Sequence, residues 1–152
     1  MAEETAVPSE PELTGIDALY AEIDEEYRTL DTLQKREASL KKMRTIYAKH
    51  PKDYGILWRT VRIMWCIGDW LDDNQGVRLE KLGTEAMSLA DTCLKLKPQG
   101  VEAHYYKALA VSTYSRGISI VKALVKGLGG EYESNLEFVL KKDASFDRGG
   151  PL

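Results

Sequence analysis

The segment Leu82 to Leu109, LGTEAMSLADTCLKLKPQGVEAHYYKAL, decides the fold: a helix, a Pro-Gly punctuated turn and the opening of a second helix. Part of it recurs 46 residues later. Leu82 pairs with Leu128, Gly83 with Gly129, Glu85 with Glu131, Ser88 with Ser134, Leu94 with Leu140 and Lys95 with Lys141. Six matches in the seventeen positions 82–98 compare with about one expected from average residue frequencies. A period of this length marks stacked helical units, each of which needs its neighbour to bury an apolar face.

With 152 residues and 43% hydrophobic content, the chain can build a core of its own, and one domain is the expectation. Cys66 and Cys93 lie within apolar helical patterns without metal or redox spacing, so both read as small buried hydrophobes. No run of about twenty apolar residues is present to cross a membrane. No charged-then-apolar leader follows Met1, so the expectation is a soluble protein, cytoplasmic or exported with its leader removed. Residues 1–26 carry nine acids and no Lys or Arg, whereas the other 126 residues carry 21 bases against 15 acids, a net of +6. Those bases are dispersed and not interleaved with exposed aromatics, which argues against nucleic acid as a partner.

Taken in order, residues 1–12 combine acids with two prolines and read as a disordered acidic tail. Thr14 and Asp17 resemble a helix-opening box, and Ile16, Leu19, Tyr20, Ile23, Tyr27 and Leu30 follow a helical face. A break near Asp31-Thr32 gives a second helix that Pro51 stops. Asp53 opens a third, apolar over much of its circumference from Ile56 to Trp70, which predicts neighbours on two or three sides. A fourth starts at Val77 or Thr84 and runs to Lys97, where Pro98-Gln99-Gly100 closes it. A long helix is expected from Val101 to about Lys126, with Gly117 a weak point, and a last one from Glu131 to Asp143. The whole is an all-α chain of about six antiparallel helices, in hairpins at about 14–50, 53–98 and 101–144.

Ala86, Ala90, Cys93 and Pro98, with Trp58 and Trp65 before them and EAHYYKALA at 102–110 after them, resemble the signature positions of the tetratricopeptide repeat family. Arg62 stands where that family has Gly or Ala. Units about twelve residues longer than the standard, the LW-R string at 57–59 and the closing DxxFDRGGP string at 143–151 are similar to a bacterial subgroup that includes transporter-associated repeat lipoproteins, and to eukaryotic regulator of microtubule dynamics proteins. The resemblance covers roughly residues 14–152. It implies a right-handed superhelical solenoid whose first helices line a concave groove. Carried over position by position, the groove residues are Arg59, Ile63, Cys66, Ile67 and Trp70, then Tyr105, Leu109, Ser112, Thr113 and Arg116.

No arrangement of residues points to catalysis, a metal or another cofactor. His50 and His104 lack a second ligand at useful spacing, so His104 is expected at a repeat interface with one nitrogen satisfied. Neither a nucleophile elbow nor a phosphate loop follows a strand pattern. The resemblance implies a non-enzymatic scaffold that presents its groove to a protein or peptide, Arg gripping a carboxylate and Trp and Tyr supplying area. The alternative is an accessory protein of a transport system that holds a small apolar or anionic ligand. The insert ISIVKALVKGL at 118–128 is apolar and needs cover, first of all from the protein's own groove. A homodimer through this insert or through an uncapped last helix, or a docked partner, is the other expectation.

Overall fold

In the computed structural model, which describes residues 15–143, no strand occurs among the described residues and the chain is all-helical. The elements are α1 (Gly15–Tyr27), α2 (Leu33–Lys49), α3 (Tyr54–Trp70), α4 (Gly76–Leu96), α5 (Val101–Arg116), α6 (Ile120–Val125) and α7 (Leu128–Lys142). The expected acidic tail, the Thr14 box and the closing string beyond Asp143 lie outside the described residues.

Local chemistry sets most boundaries. Thr32 caps α2, its hydroxyl accepting from the Lys35 amide, so the break near Asp31-Thr32 is real. Asp53 caps α3, its carboxylate accepting from the Ile56 amide at 2.9 Å. The period survives in the element ends: Trp70 and Arg116, and likewise Leu96 and Lys142, are 46 residues apart.

Two expectations about the last third need correcting. Among the described residues there are seven helices and not about six, because the helix expected over 101–126 stops at Arg116. Gly117 explains the stop. A Cβ there would lie 2.3 Å from the Glu80 amide nitrogen and 2.6 Å from the Gly76 carbonyl oxygen, so only glycine lets the chain pass α4. The chain then forms the one-and-a-half-turn α6 before α7, which begins at Leu128 and not at Glu131.

The core centres on α3. Ile56, Leu57, Val61, Ile63, Met64 and Ile67 are all at most 1% exposed, each contributing about 1.5–3 kcal/mol relative to an exposed position. Four helices, α1, α2, α4 and α5, touch α3, which is why an apolar stripe alone would not have sufficed. Helix α4 packs closest on α5: a Cβ at Gly83 would fall 2.5 Å from the Tyr114 amide nitrogen and Cα. Cys66 and Cys93 are free and buried, and burial raises both thiols, Cys93 to about 12.

The insert is not covered by the protein's own groove. Ile120, Val121, Leu124 and Val125 are exposed, and only Ile118 and Ala123 tuck against Val111, Tyr114 and Leu128. Six residues of helix with both flanking turns at the surface have no second side to bury.

Candidate functional site

Helix α3 places Trp58, Arg59 and Arg62 within four positions of one another, so one turn delivers an indole and two guanidinium groups to the same region. The run from Tyr20 to Tyr27 on α1 supplies the counterpart. Asp24 receives a bidentate fork from Arg59, Nε to Oδ1 and Nη2 to Oδ2 both at 3.0 Å. Arg62 adds a third bond to the same carboxylate, Nη2 to Oδ1 at 2.7 Å. Burial alone would raise the Asp24 carboxyl, but the hydrogen bonds from Arg59 and Arg62 outweigh it and hold the group below the usual range.

Aromatic rings enclose the charges. The Arg59 guanidinium lies 4.3 Å from the Tyr20 ring centroid and 4.1 Å from that of Trp58, and Arg62 lies 4.0 Å from Tyr27. Such contacts contribute about 0.5–2 kcal/mol each when partly desolvated. Trp58 in turn stacks on Tyr106 of α5, with centroids 5.5 Å apart and planes 7° from parallel. Three helices therefore meet at one polar cluster.

Two cations share one carboxylate, and Arg62, only 8% exposed, has a buried Nε–H without a hydrogen-bond partner among the described residues. A buried donor left unmet costs about 1–3 kcal/mol. Next to the cluster, a cavity of about 400 Å³ opens at the start of α3, lined by Tyr20, Tyr54, Trp58, Arg59, Lys97 and Glu102. Tyr20 donates to the Asp53 carboxylate there, and burial followed by that bond pushes its phenol up to about 12. Tyr54 donates to Glu102 at 2.9 Å and accepts from the Ala103 amide.

Of the groove residues expected from sequence, Ile63, Cys66, Ile67, Tyr105 and Thr113 are buried, so their side chains present almost nothing to a ligand in this structure. Thr113 sits against Gly68 where α5 crosses α3. Arg59 is in the cluster just described. Leu109 and Ser112 are half-buried, while Trp70 and Arg116 are exposed at the far end.

That far end is a structural clamp. Arg116 donates from Nη1 to the Gly68 carbonyl and from Nη2 to the Leu71 carbonyl, both at 2.7 Å, and reaches Asp73 as well. From the other side Arg36 of α2 donates to the Cys66 carbonyl at 2.6 Å with its guanidinium 4.8 Å over the Trp70 ring. Carbonyls near a helix C-terminus carry partial negative charge, so guanidinium groups suit them as additional donors.

Sequence reasoning missed Asp24, Arg62 and Tyr106 as site members. Arg62 gave the one usable signal, a cation where the resembled family has Gly or Ala. His104 also departs from expectation: both ring nitrogens are engaged, Nδ1 with Asn135 Oδ1 and Nε2 with the Pro98 carbonyl, each at 2.8 Å, and the ring stacks on Phe138. No family model, no curated protein and no solved structure matches the chain.

Proposed function

We propose that the chain is a non-enzymatic interaction module of tetratricopeptide-like hairpins, and that it takes an acidic peptide at the α1–α3–α5 cluster. The observation carrying this reading is that Arg59 and Arg62 share the Asp24 carboxylate, with one guanidinium N–H unmet among the described residues. A carboxylate from a peptide would add a second acceptor, and the Trp58 and Tyr20 rings would flank its backbone at small entropy cost. The adjoining cavity, with Lys97 on its wall and its two carboxylates, Asp53 and Glu102, already engaged by the Tyr20 and Tyr54 hydroxyls, gives room for the residues that follow.

Panning a displayed twelve-residue peptide library against the protein tests this. Enriched peptides should carry Asp or Glu or use a free C-terminus, and should lose binding to Arg59→Lys/Arg62→Lys, which keeps the charge but not the planar forks. Enrichment without acidic bias, or binding indifferent to the double substitution, would refute the reading. Displacement by a small carboxylate alone would favour a solute-binding role at the same cluster.

A further inference from the structure

His104 stands where the α4–α5 turn, α5 and α7 meet, and both atoms it touches are oxygens. Its Nε2 lies 2.8 Å from the Pro98 carbonyl and its Nδ1 2.8 Å from Asn135 Oδ1. The carbonyl has no proton to give. The amide of Asn135 is fixed in orientation, because its Nδ2 donates to the Glu131 carbonyl at 2.8 Å, and turning it over would set its oxygen against that carbonyl instead. A neutral imidazole carries one N–H and one lone pair, so it can satisfy one of the two oxygens and must point a lone pair at the other. The imidazolium carries two N–H groups and satisfies both. The ring of Phe138 lies over the imidazole, 3.8 Å between centroids with planes 25° apart, a face that favours a cation.

The two bonds matter because α7 has little else to hold it. Its buried side chains are Leu128, Asn135, Leu136 and Val139, against eleven buried residues on α3, and a helix with a thin apolar face opens before the rest of a fold does. Charges around the ring are otherwise committed. Asp91 of α4 and Glu131 of α7 both hold Lys107 of α5, at 2.6 and 3.1 Å. Tyr54 of α3 donates to Glu102 of α5, Lys97 lies over the Tyr54 ring, and Lys142 of α7 lies 5.6 Å from the Phe138 ring centroid. Lys95, Glu137, Lys141 and Asp143 are exposed. The positive end of α5 and Lys142 oppose a cation at His104, whereas the negative end of α4, just before Pro98, favours one. None of these neighbours is a histidine, so His104 is the group at this junction suited to change charge between about pH 5 and 8.

From this geometry we infer that His104 is a pH-operated latch: with both ring nitrogens protonated it fastens α7 to the α4–α5 turn, and loss of one proton gives up one of the two bonds and loosens α7. The sign follows from the acceptors. The folded chain binds the second proton more tightly than the unfolded chain does, so the latch contributes fully in acid and its contribution is lost as pH rises.

Ring nitrogen resonances of the ¹⁵N-labelled intact protein, followed by NMR from about pH 5 to 8, test the first half, with the same protein in urea as reference and His104→Gln for assignment. His104 should keep both ring protons at a pH where the unfolded chain has given one up. Hydrogen exchange tests the second half: protection of the α7 amides, corrected for the intrinsic pH dependence of exchange, should fall by about tenfold or more as His104 loses its proton. His104→Gln should abolish that dependence, and His50→Gln, which changes the chain's other histidine, should leave it in place. A folded ring that loses its proton no later than the unfolded one overturns the inference. So does an α7 whose protection ignores the titration, or follows it equally well in His104→Gln.

Discussion

Gly83 and Gly129 are matched by the 46-residue sequence period, yet adding one methyl group to each should move stability in opposite directions. At Gly83 the new Cβ would sit 2.5 Å from two backbone atoms of Tyr114, against about 3.5–4.0 Å for an ordinary carbon contact. Neither backbone can rotate away as a side chain can, so α4 and α5 must part by about 1 Å along their whole contact. Overpacking of this kind costs about 1–3 kcal/mol, and the helical preference of Ala over Gly returns only about 0.5–1 kcal/mol. Gly83→Ala should therefore destabilise by about 1–2 kcal/mol, lowering Tm by roughly 3–10 °C for a chain of this size. Gly129→Ala meets no atom within 4 Å and should be neutral or stabilising by up to about 1 kcal/mol. Urea unfolding followed by circular dichroism measures both. A Gly83→Ala protein as stable as the parent would show that α4 and α5 do not approach this closely.

Asp24→Asn should cost about 1–3 kcal/mol at neutral pH by leaving the buried Arg62 and the half-buried Arg59 without their shared carboxylate. The two arginines hold the Asp24 carboxyl below its unfolded value, so its contribution is full above about pH 4 and drains away as pH falls through the lowered native value. Parent and variant stabilities measured by urea titration should thus converge in acid; a constant gap would show that the carboxylate is not what matters. The raised, buried thiols of Cys66 and Cys93 should react with a chromogenic disulfide only on unfolding, and a fast reaction of either in the native protein would contradict its burial. Arg116→Ala removes bonds to the Gly68 and Leu71 carbonyls and should destabilise by about 1–3 kcal/mol, whereas Arg28→Ala, whose partner Glu25 is equally solvated, should change stability by less than about 0.5 kcal/mol. Equal losses for the two would place the clamp at the surface.

Helix ends were legible wherever a single side chain does the work: Thr32, Asp53, Pro51 and the Pro98-Gln99-Gly100 turn act within four residues of themselves. The stop at Arg116 was not, because it depends on Gly117 meeting Gly76 and Glu80 about forty residues away, a clash that no local pattern records. The same holds for the polar cluster. Arg59 could be named from its place on α3, but its partner Asp24 stood among nine acids of the first 26 residues with nothing to single it out. Arg116 illustrates the converse error: a guanidinium at a groove position looks open to ligands until the carbonyls it already holds are visible. Periodicity reports which side chains are oily and how often; it is silent on which neighbour has taken their polar companions.

At the end of α3, Arg36 and Arg116 grip main-chain oxygens of residues 66, 68 and 71. An amide oxygen is present whatever residue bears it. Replacing Cys66 or Leu71 by another apolar residue thus alters how the interior is filled while leaving both fastenings in place, whereas shifting the chain by a single residue would unfasten both. Alignment between the hairpins is written there in a chemistry that point substitution at the acceptor positions does not erase.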